Sequence, residues 1–332
     1  MIRIESADHL RSVARDMSLT RRCEEIRLPA GVMDLGDEPV VFGGVAANRE
    51  TLTGLKIVGE GRGHVNHNGR AFGGTVLRYS SAGAAIDLRG VSSARLQDFG
   101  IHAPNGIAAT VKASVKNSAW SKQVLFERID VSGSGIGFDL VGVDGPDDYI
   151  GHGQISQFGY GQVDTTWFEG CIARRVNIAL RQNSPNSVNT TWVGGEIKAR
   201  AIGFMLLEGT ARVYGTVFVD DPDDLGWAAI YAKNAHDILI HRNRFELDQT
   251  PAYVIEESYT GIGSQLSSKD NLITHGSADT PGIRVARRNL HWISDDQLAM
   301  RGTKSWRMEV ATDIESWIER RPRNPQVEIV RI

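Results

Sequence analysis

The sequence predicts an all-β solenoid, and three observations carry that expectation. From about residue 20 to residue 290, short alternating apolar pieces recur between Gly, Asn, Asp and Ser, and helical periodicity is nearly absent. One unit occurs twice: Val163-Asp164-Thr165-Thr166-Trp167-Phe168-Glu169-Gly170-Cys171-Ile172 returns 25 residues later as Val188-Asn189-Thr190-Thr191-Trp192-Val193-Gly194-Gly195-Glu196-Ile197. A second apolar element, often preceded by Gly or Ala, recurs at Ile86, Ile107, Phe138, Ile178, Phe204, Ile230, Val254 and Ile283, at intervals of 21, 31, 40, 26, 26, 24 and 29 residues. Short strands alone fit a sandwich or a barrel equally well, and the repeat decides between them. The short intervals match one coil of three strands and three turns. The long intervals match the same coil with an inserted loop.

Taken in order, residues 6–18 form the one helical pattern of the first half, with Leu10, Val13 and Met17 three or four residues apart. They give way to the strand Glu25-Ile26-Arg27-Leu28 and a Pro29-Ala30-Gly31 turn, so residues 1–30 are expected as an N-terminal cap. Residues 31–290 are expected as the solenoid body. The markers there should stack inward along one sheet. Extra residues at 110–121, 141–162 and 258–268 all follow the marker strand, so they should emerge on one flank of the column. Residues 291–332, with Trp306 and Trp317, are expected as a C-terminal cap or tail, because an open solenoid end exposes unpaired strand edges. Gly59-Glu60-Gly61-Arg62-Gly63 has no following helix pattern and is expected as a turn rather than a nucleotide loop.

The composition excludes several classes. The 332 residues carry 37 Lys+Arg against 40 Asp+Glu, a net charge of −3, which argues against a general nucleic-acid backbone binder. Two cysteines, Cys23 and Cys171, provide neither a disulfide framework nor a thiolate metal cluster and are expected to pack. No run of 18 apolar residues exists, so no membrane-inserted helix is expected, and Met1-Ile2-Arg3-Ile4-Glu5 lacks the apolar region of a secretory signal. Glycine, at 36 residues, is well above ordinary usage, as a chain of many turns requires.

The Leu-Pro-Ala-Gly turn at 28–31, the strands Leu55-Lys56-Ile57-Val58-Gly59-Glu60-Gly61 and Thr75-Val76-Leu77-Arg78-Tyr79, and the leading helix together resemble the opening of right-handed parallel β-helix proteins of the pectate-lyase-like superfamily. Residues 163–248, with Asn189–Ile197 and Asn243-Arg244-Phe245-Glu246, look most like phage tailspike-type polysaccharide depolymerases. The resemblance covers about residues 20–290. It implies a single-stranded right-handed parallel β-helix, a bacterial polysaccharide as ligand, a homotrimer, possible contact with other phage tail proteins, and a place on the virion tail or outside the cell. It implies no organic cofactor; Ca²⁺ is an open option, since pectate-type lyases use clustered carboxylates for it. A virion spike without catalysis and a bacterial uronate lyase or epimerase share the scaffold and stand as alternatives.

The repeated unit supplies candidate chemistry. With the 25-residue offset, Trp167 and Trp192 fall on stacked rungs and point outward as a platform for a sugar face, with Glu169 and Glu196 beside them. Successive rungs put those two carboxyls about 5 to 9 Å apart, the separation that glycoside hydrolysis by an acid and a base requires. Asp164 stands at the strand entrance, and Asp220 and Asp221, in an acidic turn, compete for the same roles. Tyr149, His152 and Tyr160 in the long 141–162 insertion, and His241 and Arg244 on a basic rung, are candidate substrate contacts; Asn243 between the last two is expected to cap a turn. No protein-bound metal centre is expected from the sequence.

Overall fold

A computed structural model describes residues 1–44, 51–113, 121–141, 163–184, 187, 189–220, 226–256, 264–276, 280–286, 290–300, 306–311 and 327–332. Among the described residues, twenty-nine strands join one continuous parallel ladder, and the chain is a parallel β-helix. Each coil crosses three sheets in turn. Val91–Gln97, Phe99–His102 and Ile107–Lys112 make up one coil; Ser121–Glu127, Asp130–Ser132 and Ile136–Val141 lie above them strand on strand. We call these the first, second and third sheets. Higher up, Ile172–Asn183 and Glu196–Leu206 run through the corner from the second sheet into the third without a break in strand structure.

The column is filled by inward residues that stack rung on rung. On the first sheet Ile57, Leu96, Phe126, Phe168, Trp192, Val213 and Ile240 are in register. Phe126, Phe168 and Trp192 stack nearly parallel, with ring centroids 5.1 and 4.8 Å apart, and Phe138 meets Phe168 edge-on at 4.9 Å. Such pairs add about 0.5–1.5 kcal/mol each beyond their buried area.

The register corrects the sequence repeat. Phe168 pairs with Trp192 and Trp167 with Thr191, so the structural offset is 24 residues and not 25. A one-residue slip exchanges the two faces of a strand. Trp192 is therefore 1% exposed and in the core, while Trp167 is 46% exposed. The physical cause is the interior: the position above Phe168 is best filled by the larger ring, and Val193 then takes the solvent side.

The markers share the third sheet, in three columns. Ile86, Phe138, Phe204, Ile230 and Ile283 align inward with Ala109, Leu180 and Tyr253, whereas Ile107 and Ile178 pair through Ile136, two residues earlier along the strand. Val254 is one position later, opposite Tyr231. Of the insertions, residues 114–120, 142–162 and 257–263 lie outside the described residues; the strands that flank them show that all three leave the third sheet and return to the first.

The helix Ala7–Thr20 is capped by Ser6, whose side chain accepts from the His9 amide, and it buries Leu10, Ala14 and Met17 over the first coils. Ile2–Arg3 and Glu25–Arg27 already belong to the ladder. At the other end Leu290–Met300, Trp306–Val310 and Val327–Arg331 continue the parallel pairing past residue 290.

A buried polar ladder follows the corner between the first and second sheets. Asn243 Oδ1 accepts from the Thr216 amide at 2.9 Å and its Nδ2 donates to the Val213 carbonyl at 3.0 Å; Asn271 repeats the pattern one coil on, bonding Ile240 and Asp296. The left-handed backbone of this turn is at Arg242, φ 58°, rather than at Asn243. Asn243 is thus an internal strut for the carbonyls that the turn leaves unpaired.

Candidate functional site

The second sheet carries a polar cluster under a short roof. Inward positions there are Ile101, Val131, Ala173 and Ile197. Alternation sends their neighbours outward in two columns: Gly100, Asp130, Ile172 and Glu196 in one, His102, Ser132, Arg174 and Lys198 in the other. The roof is the antiparallel hairpin Gly63–Val65 and Ala71–Gly73. The predicted turn at 59–63 launches it, with Gly61 at φ +114°. Gly100 lets it approach: a Cβ there would come within 2.0 Å of the Gly63 carbonyl oxygen. Arg62 Nη2 reaches the Gly170 carbonyl and Arg175 Nη2 the Val65 carbonyl, each at 2.5 Å, so two guanidinium groups pin the hairpin to the coil. Gly100→Ala should therefore lift the hairpin while leaving the column folded. A cost of about 1–3 kcal/mol, an overpacking value, together with loss of protection of the 62–73 amides in hydrogen exchange, is the expected result.

Arg174 holds two carboxylates at once. Its Nε donates to Glu196 at 3.0 Å and its Nη1 lies 3.4 Å from Asp130 Oδ2. Asp130 is 2% exposed, and its Oδ1 is shielded from solvent and has no hydrogen-bond partner. Burial pushes the Asp130 carboxyl up to about 6, with Glu196 adding to the rise, and Arg174 and Arg62 oppose it without reversing it. His102 lies one rung below Ser132. Its Nδ1 donates to the Ser132 carbonyl at 3.0 Å, an assignment that follows because a carbonyl only accepts. Burial, with Arg78 and Arg175 contributing, holds the imidazole below its ordinary value. The ring is neutral at pH 7, and its Nε2 then bears the free lone pair. Asp130 and His102 sit one rung and two residues apart, about 8 Å between backbones on strand spacing and rise. A carboxyl poised to give a proton and an imidazole able to take one thus share one half-buried face lined by arginines.

The residues expected from the sequence scatter around this cluster. Glu196 belongs to it. Glu169 does not: it is exposed at the end of the first sheet, in register with Glu127 and Val193, and Gly170, Gly194 and Gly195, all at positive φ, turn the chain between it and the Glu196 level. The expected stacked pair of carboxylates is therefore split over two sheets, and the expected tryptophan platform is reduced to Trp167. Asp164 is half-buried on the first sheet, opposite Lys122, and accepts from the Thr165 hydroxyl at 3.1 Å. Asp220 Oδ2 accepts from the Gln249 amide at 3.1 Å, which makes it a strut of the neighbouring turn. His241 stays on the first sheet, 2.9 Å from the Ser267 hydroxyl, with burial lowering its pKa. Arg244 is exposed on the second sheet, two rungs above Glu196 in the same column, and pairs with Glu246 at 2.5 Å. Asp221, Tyr149, His152 and Tyr160 lie outside the described residues.

Asp130, His102, Arg174 and Arg62 were not singled out by sequence reasoning. Alternation in Ile129-Asp130-Val131-Ser132 places Asp130 outward, but its burial comes from a hairpin far away in the chain. Among the described residues no group of three or more His, Cys, Asp or Glu side chains is placed to hold a metal, and no helix is long and apolar enough to cross a membrane.

No protein-family model matches the chain, and no curated protein matches its sequence. Among solved structures the chain is similar to the A-module of the mannuronan C-5 epimerase AlgE4 of Azotobacter vinelandii, at 11% identity and a TM-score of 0.42, over 98% of this chain and 96% of that one.

Proposed function

We propose that this protein is a polysaccharide-acting enzyme that works by acid–base catalysis on the outer face of the second sheet, beside the 62–73 hairpin. The observation that carries the reading is Asp130, a carboxyl buried with one oxygen unpartnered and a pKa of about 6. A general acid is most effective when its pKa lies near the working pH. His102 or Glu196 acts as base, and Arg174 stabilises negative charge that develops between them. The outward column continues from Asp130 through Ile172, Glu196, Val217 and Arg244, alternately apolar and charged. That alternation suits an extended chain of rings with polar edges. Trp167 is exposed on the first sheet, ahead of the Gly170 corner.

The test is incubation with a panel of neutral and acidic polysaccharides. New reducing ends indicate hydrolysis, an unsaturated ultraviolet-absorbing product indicates a lyase, and a changed uronate epimer ratio by NMR indicates epimerisation. Binding without any of these outcomes would replace the catalytic reading with an adhesin. From the tailspike resemblance we also propose a homotrimer on a phage tail, acting on bacterial surface polysaccharide. Light scattering should give about three times the 36.4 kDa chain mass, and a mass equal to one chain would reject that assembly.

A further inference from the structure

The corner between the third and first sheets, away from the second-sheet cluster, has a polar interior. Gln182 occupies an inward position, between Leu140 and Leu206 in its column, and is fully buried. Its Nε2 faces three main-chain carbonyls, those of Glu208 at 2.5 Å, Thr210 at 3.3 Å and Ser187 at 3.5 Å. Those acceptors fix the amide orientation, so the other end of the side chain is the oxygen. That oxygen accepts no hydrogen bond from the protein, and neither does the Ser184 hydroxyl or Glu208 Oε2, although all three atoms are shielded from solvent. Glu208 itself is only 7% exposed, and its Oε2 has no hydrogen-bond partner. Thr166, whose hydroxyl is likewise unpartnered, sits one rung below Thr190 by the 24-residue register.

Buried polar atoms are nearly always partnered, and a buried carboxylate without a counter-charge is costly. Here one amide oxygen, one hydroxyl oxygen and one carboxylate oxygen, each unpartnered, come from neighbouring positions of one corner: Gln182 pairs with Leu206, and Ser184 and Glu208 each follow two residues later. This is an all-oxygen donor set carrying a single negative charge, the chemistry of a hard cation. We propose that the Gln182–Ser184–Glu208 corner binds a hard, oxygen-ligated cation, with Glu208 as its charged ligand. The ion ties the end of the strand Ile172–Asn183 to the turn at Glu208, which follows Glu196–Leu206 in the next coil. It neutralises Glu208 and takes no part in the proposed acid–base chemistry.

The test uses the full chain, stripped with chelator and exchanged into a buffer whose cation is organic. Bound metal is counted by elemental analysis, and thermal unfolding is followed with CaCl₂ and, separately, KCl at matched ionic strength. We expect about one equivalent of one of these ions per chain and a midpoint raised by a few degrees in that salt alone. Glu208→Gln should weaken this binding by at least tenfold, and Ser184→Ala, a smaller change, should weaken it measurably if the glutamine variant does not fold. Asp130→Asn should bind the ion as the wild type does, which separates this inference from the proposed catalysis. No bound metal and no salt-specific shift in the wild type would mean that water fills the corner, and the proposal would fall. Undiminished binding in Glu208→Gln and Ser184→Ala would overturn it as well.

Discussion

Asp130→Asn should lower turnover by ~10²–10⁴-fold, the usual contribution of a positioned acid or base, with little change in polysaccharide binding. Asn keeps the shape of the side chain and its contact with Arg174 but has no acidic proton. Loss of folding is not the expected cause, and the sign of the linkage shows why. A carboxyl whose pKa rises from 3.8 to about 6 on folding binds more protons in the folded state between those values, so stability falls as pH rises through that window. Above pH 6 the ionised, buried carboxylate costs on the order of 3 kcal/mol relative to its neutral form. The asparagine variant removes that cost and should be at least as stable as wild type at pH 7, and less pH-dependent between pH 4 and 6. In the wild type, the rate should fall as pH rises above about 6, the range in which the acid loses its proton. Full activity of Asp130→Asn with an unchanged pH profile would remove Asp130 from the mechanism.

Trp192→Ala should cost about 3–5 kcal/mol of stability. The ring is 1% exposed, stacks on Phe168, and meets Phe138 and Phe204 with centroids 5.8 and 5.0 Å away. Its Nε1 donates to the Gly194 carbonyl at 2.9 Å, so truncation also leaves a buried acceptor short of a partner. Trp167→Ala is the control from the same sequence motif. With 46% exposure it should change stability by no more than about 0.5 kcal/mol and weaken polysaccharide binding about threefold to tenfold. Denaturant midpoints for the two variants check the register directly. Equal losses would contradict it.

The paired motif shows what a local repeat leaves open. Thr-Thr-Trp occurs in both coils, and matching like with like gives an offset of 25 and two outward tryptophans. The ladder instead matches Phe168 with Trp192. Both matches preserve an apolar position in the core, because Phe168 and Val193 are apolar too. The choice depends on ring volume against Phe138 and Phe204, contributed by strands of another sheet, and no pattern within the repeat contains that volume.

The sequence by itself determined the solenoid. Alternation of period two fixed the strands, and the Gly, Asn and Asp between them marked the turns. The near-constant return of an apolar strand fixed the coil, and the long intervals located the corner between the third and first sheets that carries three insertions. These are local properties or regular spacings, which survive without knowledge of neighbours. It also placed Glu196 outward and marked 59–63 as a turn. The tertiary structure alone decided the site. Asp130 is outward by alternation and would be an ordinary solvated carboxylate but for the hairpin at 63–73, which Gly100 admits and Arg62 and Arg175 hold down. Its raised pKa is a consequence of lost water. Desolvation depends on what covers a group, and the covering segment here comes from a different coil, beyond the reach of any local pattern.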